Sequence, residues 1–223
     1  MIPIAVIGLG FGESVLVPAL RRTGRFEGAA VCASDAARAR AAADRLGVPR
    51  AHGDWRAAAR DPAAAAAAIV VPPDLQPAIA EAALAAGKHV LCEKPLAADL
   101  AGAGRIAAAL PPGRAGMIDF EFPELPAWRE ALRLLQAGRI GTLRRVRAAW
   151  RRQSPPHRAP PTGHWKRDAA RGGGTLSIFS PHIFHYLKLF AGPIARLRAA
   201  LAPAAPDTAG PDARAAIAGA FSS

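Results

Sequence analysis

The fold is decided by the stretch Ile4-Ala5-Val6-Ile7-Gly8-Leu9-Gly10-Phe11-Gly12-Glu13 near the start of the chain. An apolar run here ends in three closely spaced glycines, and residues 15–22 then show a helix pattern. Glycine lets a backbone turn sharply and approach a pyrophosphate, while the N-terminus of a following helix supplies N–H donors. The stretch predicts a dinucleotide-binding turn formed by Gly8, Gly10, Phe11 and Gly12. The third glycine lies one position earlier than in the usual fingerprint, so a plain tight turn is the alternative.

The first half of the chain alternates short apolar runs with alanine-rich amphipathic stretches. Predicted strands cover residues 4–7, 28–32, 68–71, 89–92 and 115–118, and predicted helices cover residues 15–22, 36–46, 76–86 and 100–110. Continuous apolar strands that alternate with helices are typical of a parallel sheet covered on both faces. We therefore predict an α/β fold with a doubly wound parallel sheet, a Rossmann domain over residues 1–118.

The second half has a different pattern, and we predict a separate α+β domain over residues 119–223. Its predicted helices cover residues 125–137 and 176–191, and its predicted strands cover residues 142–152 and 194–201, with a proline-rich loop at 153–163. In the strand at 142–152, Arg145, Arg147 and Arg151 share one face. From residue 202 onward the sequence is rich in Pro, Ala and Gly and predicts no element.

Composition narrows the class of protein. The chain has 223 residues and only two cysteines, Cys32 and Cys92, so a disulfide scaffold is excluded and a reduced cytoplasmic compartment is expected. No apolar run approaches the ~20 residues that a membrane span needs, and we expect no membrane partner. The strand-like N-terminus without a basic lead predicts no signal peptide.

The net charge of +12 is concentrated in one segment. Residues 139–171 hold ten basic residues and one acid, a local charge of +9. A solvated surface, an acidic small ligand and nucleic acid are the three interpretations. Aromatic residues make up only 6% of the chain and no base-stacking motif is present, so we expect no nucleic-acid partner.

The end of the second predicted strand indicates the cofactor. An acid there would bind the ribose hydroxyls of NAD, but the position is Ala33. Ser34 and Arg38 could accept a 2′-phosphate, while Asp35 could simply cap the next helix. The sequence admits NADP or NAD and favours NADP.

A set of motifs in a fixed order makes the sequence resemble the Gfo/Idh/MocA family of NAD(P)-dependent oxidoreductases, which act mostly on sugars and cyclitols. The motif Glu93-Lys94-Pro95 at a strand end carries most of this resemblance. The others are Gly8-Leu9-Gly10-Phe11-Gly12, Val71-Pro72-Pro73-Asp74, Gly138-Arg139-Ile140-Gly141 and Gly172-Gly173-Gly174-Thr175-Leu176, which leads to His182.

The resemblance implies roles for individual residues. Lys94 would polarise the reacting oxygen and His182 would act as general acid or base. Pro95 would follow a cis peptide bond. Pro72, Glu93 and Lys94 would join the cofactor-binding residues, with Lys94 beside the nicotinamide. The substrate, a small molecule, would meet Trp165, Lys166 and His185. Arg158, Lys166 and Arg167 would meet an acidic substrate.

The chain departs from the family in the helix that carries His182. The usual Asp one turn before the histidine is Ile178, and a second Asp is replaced by His185. Pro181 either marks a late helix start, capped by Ser180, or kinks the helix. His182 and His185 have the spacing of a metal pair, but no third ligand is evident and we expect no metal.

Family members continue beyond residue 223, so we expect a second domain whose open, largely antiparallel sheet is incomplete. An open sheet of this kind predicts a homo-oligomer. The sequence thus supports two hypotheses. The first is an NAD(P)-dependent dehydrogenase or reductase; the alternative is a catalytically silent, nucleotide-binding sensor or regulatory partner, favoured by Ile178.

Overall fold

The computed structural model describes residues 1–149, 163–203 and 212–221. The chain divides into two compact units, Met1–Asp119 and Phe120–Ser223. Within the described ranges, no helix combines the length and the apolar character needed to cross a membrane.

The first unit is a six-stranded sheet with helices between its strands. The strands are β1 (Ile2–Ile7), β2 (Phe26–Cys32), β3 (Arg50–His52), β4 (Ala66–Ile69), β5 (His89–Cys92) and β6 (Gly116–Ile118), and the helices are α1 (Val17–Arg22), α2 (Ala36–Leu46), α3 (Trp55–Ala59), α4 (Gln76–Ala85) and α5 (Leu100–Ala109). The order is β3-β2-β1-β4-β5-β6 and every pairing is parallel. The predicted doubly wound Rossmann sheet is therefore confirmed.

The central strand β1 is buried on both faces. Val6 packs into one hydrophobic cluster with α2, and Ile7 packs into the opposite cluster with α4. On α2, three fully buried alanines face the sheet: Ala39, Ala42 and Ala43. Small side chains allow a helix to approach a sheet closely, which explains why so alanine-rich a chain can bury a core.

A buried ion network ties β3 to the start of β5. Asp61 accepts hydrogen bonds from Arg50 Nε (2.7 Å), His52 Nε2 (2.6 Å) and the Ala63 N–H (2.9 Å). Burial alone would raise the pKa of the Asp61 carboxyl, but these hydrogen bonds and the Arg50 charge hold it below its ordinary value. Lys88 Nζ donates to the backbone oxygens of Asp61 and Ala64, both at 2.6 Å. The network satisfies buried charges that would otherwise destabilise the fold.

The described part of the second unit contains two helices and a strand pair. The helices are α6 (Pro126–Gln136) and α7 (Thr175–Ala191), the strands are β7 (Ile194–Pro203) and β8 (Asp212–Phe221), and short 3₁₀ turns cover Phe122–Glu124, Trp165–Arg167 and Ala169–Arg171. Strands β7 and β8 pair antiparallel. The helix α7 begins at Thr175 with Pro181 inside it, so a late start capped by Ser180 is wrong.

The predicted strand at 142–152 is wrong over residues 142–149, which form neither helix nor strand; the remainder of it, and the loop through residue 162, lie outside the described residues. Alternating side chains favour a strand, but a strand also needs a partner for its backbone groups. In the described part of the second unit, β7 takes β8 as its partner. The sequence predicts no strand at β8, because the alanines and the glycine of this segment have weak strand propensity.

Candidate functional site

The predicted nucleotide-binding residues of the first unit follow the carboxyl ends of neighbouring strands. Gly8 follows β1, Ala33 follows β2, Val70 follows β4 and Glu93 follows β5. Because parallel strands end at the same edge of a sheet, these segments meet at one edge, where open α/β sheets bind their ligands. Sequence-predicted residues far apart in the chain are thus brought together within this unit.

In the glycine turn, Gly8 and Gly12 lie close to neighbouring strands, whereas Gly10 has open space beside it. Gly8 has φ +106°, and a Cβ there would lie 2.0 Å from the Val70 carbonyl oxygen. A Cβ on Gly12 would lie 3.0 Å from Val6 Cγ1, so Gly12 lets the helix pack against β1. A Cβ on Gly10 would meet nothing within 4 Å. The first and third glycines serve the fold, and the middle one leaves the backbone open to a ligand.

The turn leads directly into a helix. A π-helical turn at Gly12–Leu16 continues into α1, and the Gly8 N–H donates to the Cys32 carbonyl oxygen at 2.9 Å. Phe11 is 47% exposed at the start of this helix. The arrangement of strand, glycine turn and helix fits a pyrophosphate, which takes N–H donors at a helix start.

Of the residues after β2, Asp35 caps the next helix, whereas Ser34 and Arg38 have exposed side chains. The Asp35 carboxylate accepts the Arg38 N–H at 2.7 Å and caps α2, as the alternative interpretation of that residue predicted. Ala33 is buried, whereas Ser34 and Arg38 are exposed. Ser34 and Arg38 are therefore accessible to a ligand at the ribose position, and the Asp35 carboxylate is already engaged.

The turn after β5 contains the cis peptide bond that the family resemblance implied, between Lys94 and Pro95. Glu93 Oε2 accepts the Lys94 N–H at 3.0 Å, and the Glu93 N–H donates to the Ile69 carbonyl oxygen at 2.9 Å. Gln76, which the sequence analysis did not single out, donates from Nε2 to the Pro95 carbonyl oxygen at 2.7 Å. Its polar side chain at the start of a largely apolar helix was the available signal.

Two cysteines lie near this sheet edge, at the ends of β2 and β5. Burial raises the pKa of Cys32 to about 11, with a smaller contribution from Asp54, and burial raises the pKa of Cys92 to about 12. Both thiols are therefore protonated at neutral pH and are poor nucleophiles.

In the second unit, His182 lies on α7 within an aromatic environment. His182 is 5% exposed and Ile178, one turn earlier, is 7% exposed. The rings of Phe120 and Phe122 meet the imidazole edge-on, with centroid distances of 5.9 and 4.8 Å. Glu121 Oε2 lies 3.9 Å from His182 Nδ1. Glu121 was missed because it is distant from His182 in sequence.

His185 lies one turn after His182 on α7. Its ring stacks on Phe120 with a centroid distance of 4.2 Å and an interplanar angle of 10°. Burial lowers the pKa of His185, and the nearby Lys188 charge lowers it further, against a smaller opposing effect of Glu124. His185 is therefore a neutral imidazole near pH 7.

Trp165 and Lys166 lie in the 3₁₀ turn that precedes the glycine run. A Cβ on Gly173 would lie 2.4 Å from the Trp165 carbonyl oxygen, so the glycine permits the turn to fold against the run. The Lys166 ammonium lies 5.8 Å from the centroid of the Trp165 ring. Arg158 lies outside the described residues.

Comparison with known proteins identifies both halves of the chain. Residues 2–112 match the model of the GFO_IDH_MocA oxidoreductase family with its NAD-binding Rossmann fold, and residues 128–223 match the GFO/IDH/MocA C-terminal domain. A crystal structure of an oxidoreductase domain protein from Kribbella flavida superposes with a TM-score of 0.86 at 29% identity, covering 98% of this chain and 64% of that one.

Two curated relatives bear on the chemistry. An uncharacterized oxidoreductase of Synechocystis sp. is 32% identical over 204 residues, which cover 90% of this chain and 54% of the relative. The D-xylose 1-dehydrogenase (NADP(+)) 2 of Haloferax volcanii is 42% identical over 89 residues, which cover 40% of this chain and 27% of the relative. The chain thus spans about half the length of the first of these relatives.

Proposed function

The chain belongs to the Gfo/Idh/MocA family of oxidoreductases, and on this premise we propose that it is an NAD(P)-dependent dehydrogenase or reductase of a sugar, cyclitol or related substrate. The observation that carries the proposal is the glycine turn, open at Gly10, at the same sheet edge as the Lys94–Pro95 turn. The similarity to a xylose dehydrogenase supports the sugar class. The family membership supports a nicotinamide cofactor, which supplies the hydride acceptor or donor when bound.

The first unit holds the cofactor through its backbone. Gly8 and Gly12 keep the turn against β4 and β1, and the backbone at Gly10 and Phe11 would hold the pyrophosphate. Pro72 and Glu93, which follow the neighbouring strands, border the same edge. Ser34 and Arg38 bind the ribose end, and because Ala33 offers no carboxylate, this end prefers NADP over NAD.

Lys94 and His182 are the two residues to which the proposal assigns the proton chemistry. The Lys94 ammonium polarises the substrate oxygen and stabilises the negative charge that develops on it. The His182 imidazole takes the hydroxyl proton when the substrate is oxidised and returns it in the reverse direction.

An acidic substrate, such as a sugar acid or a phosphorylated sugar, fits the charges of the second unit. Lys166 and Arg167 lie in the turn before the glycine run, with Trp165 beside them. A carboxylate at position 178 would repel an anion, but Ile178 carries no charge. The neutral His185 adds a hydrogen-bonding group without adding negative charge.

The proposal is tested by stopped-flow absorbance at the nicotinamide band, with NADP and NAD and a panel of sugars, cyclitols and sugar acids. Hydride transfer with at least one such substrate, slowed by roughly 10²–10⁴-fold in Lys94→Ala, is the expected result. Tight cofactor binding with no transfer for any member of the panel would instead support the silent sensor, the function that Ile178 favours.

A further inference from the structure

We propose that Glu121 is a positioning residue that holds His182 in the tautomer with its proton on Nδ1. This inference rests on the proposed function for its catalytic consequence. Glu121 Oε2 lies 3.9 Å from His182 Nδ1, within the range of an ion pair and about 1 Å beyond the usual hydrogen-bond distance. The Glu121 side chain is 54% exposed and the His182 side chain is 4% exposed. Rotation of the exposed Glu121 side chain would close this distance, while the buried imidazole is held by its packing.

The backbone around Glu121 is anchored by its two neighbours. Phe120 and Phe122 both place their rings edge-on against the His182 imidazole, and Phe120 also stacks on His185. Because the residues on either side pack against α7, Glu121 is confined to the vicinity of Nδ1. The carboxylate is brought to the histidine by this segment rather than by α7.

The helix α7 has no carboxylate one turn before His182. Ile178 lies one turn before His182 on the same helix face and is buried. A neutral imidazole has two tautomers, and only one of them presents an unprotonated Nε2. A carboxylate at Nδ1 selects the Nδ1–H form by a charge-assisted hydrogen bond.

The chemical consequence concerns Nε2. With the proton held on Nδ1, Nε2 carries the unprotonated lone pair, the form of the nitrogen that accepts the hydroxyl proton of a substrate. The cation that results keeps its Nδ1–H directed at the Glu121 carboxylate, which stabilises the added charge. Glu121 thus acts through His182 and need not touch the substrate.

The experiment uses the full chain with ¹⁵N-labelled histidine. Long-range ¹H–¹⁵N correlation spectra at pH 8 report which ring nitrogen carries the proton, and the His182→Asn spectrum assigns the signals. In Glu121→Ala, the tautomer ratio of His182 should shift roughly tenfold toward Nε2–H, the effect expected from loss of a charge-assisted hydrogen bond. Glu130→Ala is the matched control, since the Glu130 side chain is 53% exposed and pairs with Arg133; it should leave the ratio unchanged.

Kinetics supply the second measurement. Glu121→Ala should lower kcat roughly tenfold while KM changes less than about twofold, because the residue does not bind substrate. Glu121→Gln retains an acceptor oxygen and should restore part of the wild-type tautomer ratio. An unchanged ratio in Glu121→Ala, with a lowered melting temperature, would show a structural role and overturn the inference. A shifted ratio in a protein without hydride transfer would overturn only the proposed function.

Discussion

The side-chain amide of Gln76 donates a hydrogen bond of 2.7 Å to the backbone carbonyl oxygen of Pro95. Gln76 is completely buried at the start of α4, and Pro95 follows Lys94 in the turn after β5. Removal of a buried hydrogen-bond partner leaves the other group unsatisfied, at a cost of about 1–3 kcal/mol. The contact therefore fixes the backbone that carries Lys94 to a rigid part of the first unit.

Because this turn is held by Gln76, substitution of Lys94 is expected to affect the chemical step more than folding. Lys94→Ala should lower the hydride-transfer rate by roughly 10²–10⁴-fold and leave the melting temperature nearly unchanged. Lys94→Arg retains the charge but not the capacity to exchange a proton, and its rate should lie between the two. Stopped-flow traces and thermal unfolding measure both quantities. A normal rate per folded molecule with a lowered melting temperature would show a structural lysine.

Gly10→Val is expected to block the nucleotide without disturbing the fold. A Cβ at Gly10 would meet no protein atom within 4 Å. In the proposed binding mode, the valine side chain would occupy the space of the pyrophosphate. Affinity for the nicotinamide dinucleotide should fall at least tenfold, about 1.4 kcal/mol, in a fluorescence titration. Gly8→Ala is the contrasting variant, since its Cβ would lie 2.0 Å from the Val70 oxygen; it should destabilise the protein itself. An unchanged nucleotide affinity in Gly10→Val would show that the nucleotide does not bind at this turn.

Arg38 is expected to decide the preference for NADP. Arg38→Ala should weaken NADP binding by roughly tenfold or more, the effect of one charge-assisted contact with phosphate, and leave NAD binding within about twofold. Arg40→Ala is the control, because Arg40 lies on the same helix but pairs with Asp44 at 2.8 Å. Titrations at equal ionic strength give the comparison. Tighter binding of NAD than NADP by the wild-type protein would contradict the assignment.

The basic residues of segment 139–171 are expected to fall into two groups, one that binds an acidic substrate and one that does not. Neutralising Lys166 and Arg167 together should raise KM for an acidic substrate, and the increase should shrink as salt rises. Neutralising Arg145 and Arg147, which are exposed in the segment without regular structure, should not. Initial rates at several salt concentrations separate the pairs. Equal behaviour of the pairs, or equal turnover of a neutral sugar and its acid, would leave the charge as a solvated surface.

The free energy of unfolding is expected to fall at acidic pH, because the Asp61 carboxylate becomes protonated. Its pKa is held below the ordinary value, so the stabilisation from its ionised form is complete above the unfolded pKa of about 3.9 and is lost as pH falls through the folded pKa. Asp61→Asn should lower the free energy of unfolding by about 1–3 kcal/mol at pH 7 and weaken its pH dependence below pH 5. Asp44→Asn removes an exposed carboxylate and should change stability by less than about 1 kcal/mol. Urea unfolding from pH 3 to 7 measures both; a wild-type pH dependence in Asp61→Asn would assign the acid sensitivity elsewhere.

Local patterns in the sequence determined most of the first unit. The helix α2 and the strand β5 have the bounds that the sequence predicts, residues 36–46 and 89–92. Apolar runs, glycines and a capping Asp35 act over a few neighbouring residues, so their effect can be derived without the fold. The motif at Glu93-Lys94-Pro95 is equally local, and it identified the family.

Only the tertiary structure decided the elements and contacts that depend on distant partners. The strand β3 has only three residues, and two of them, Arg50 and His52, are polar. It is a strand because it pairs with β2. Strand β8 forms because it pairs with β7. Residues 142–149 have the alternation of apolar and basic side chains that is typical of a strand, but they form none. The hydrogen bond of Gln76 to Pro95 and the approach of Glu121 to His182 each join residues far apart in the chain. A hydrogen bond or ion pair between distant residues depends on where the backbone carries them, and no local pattern contains that information.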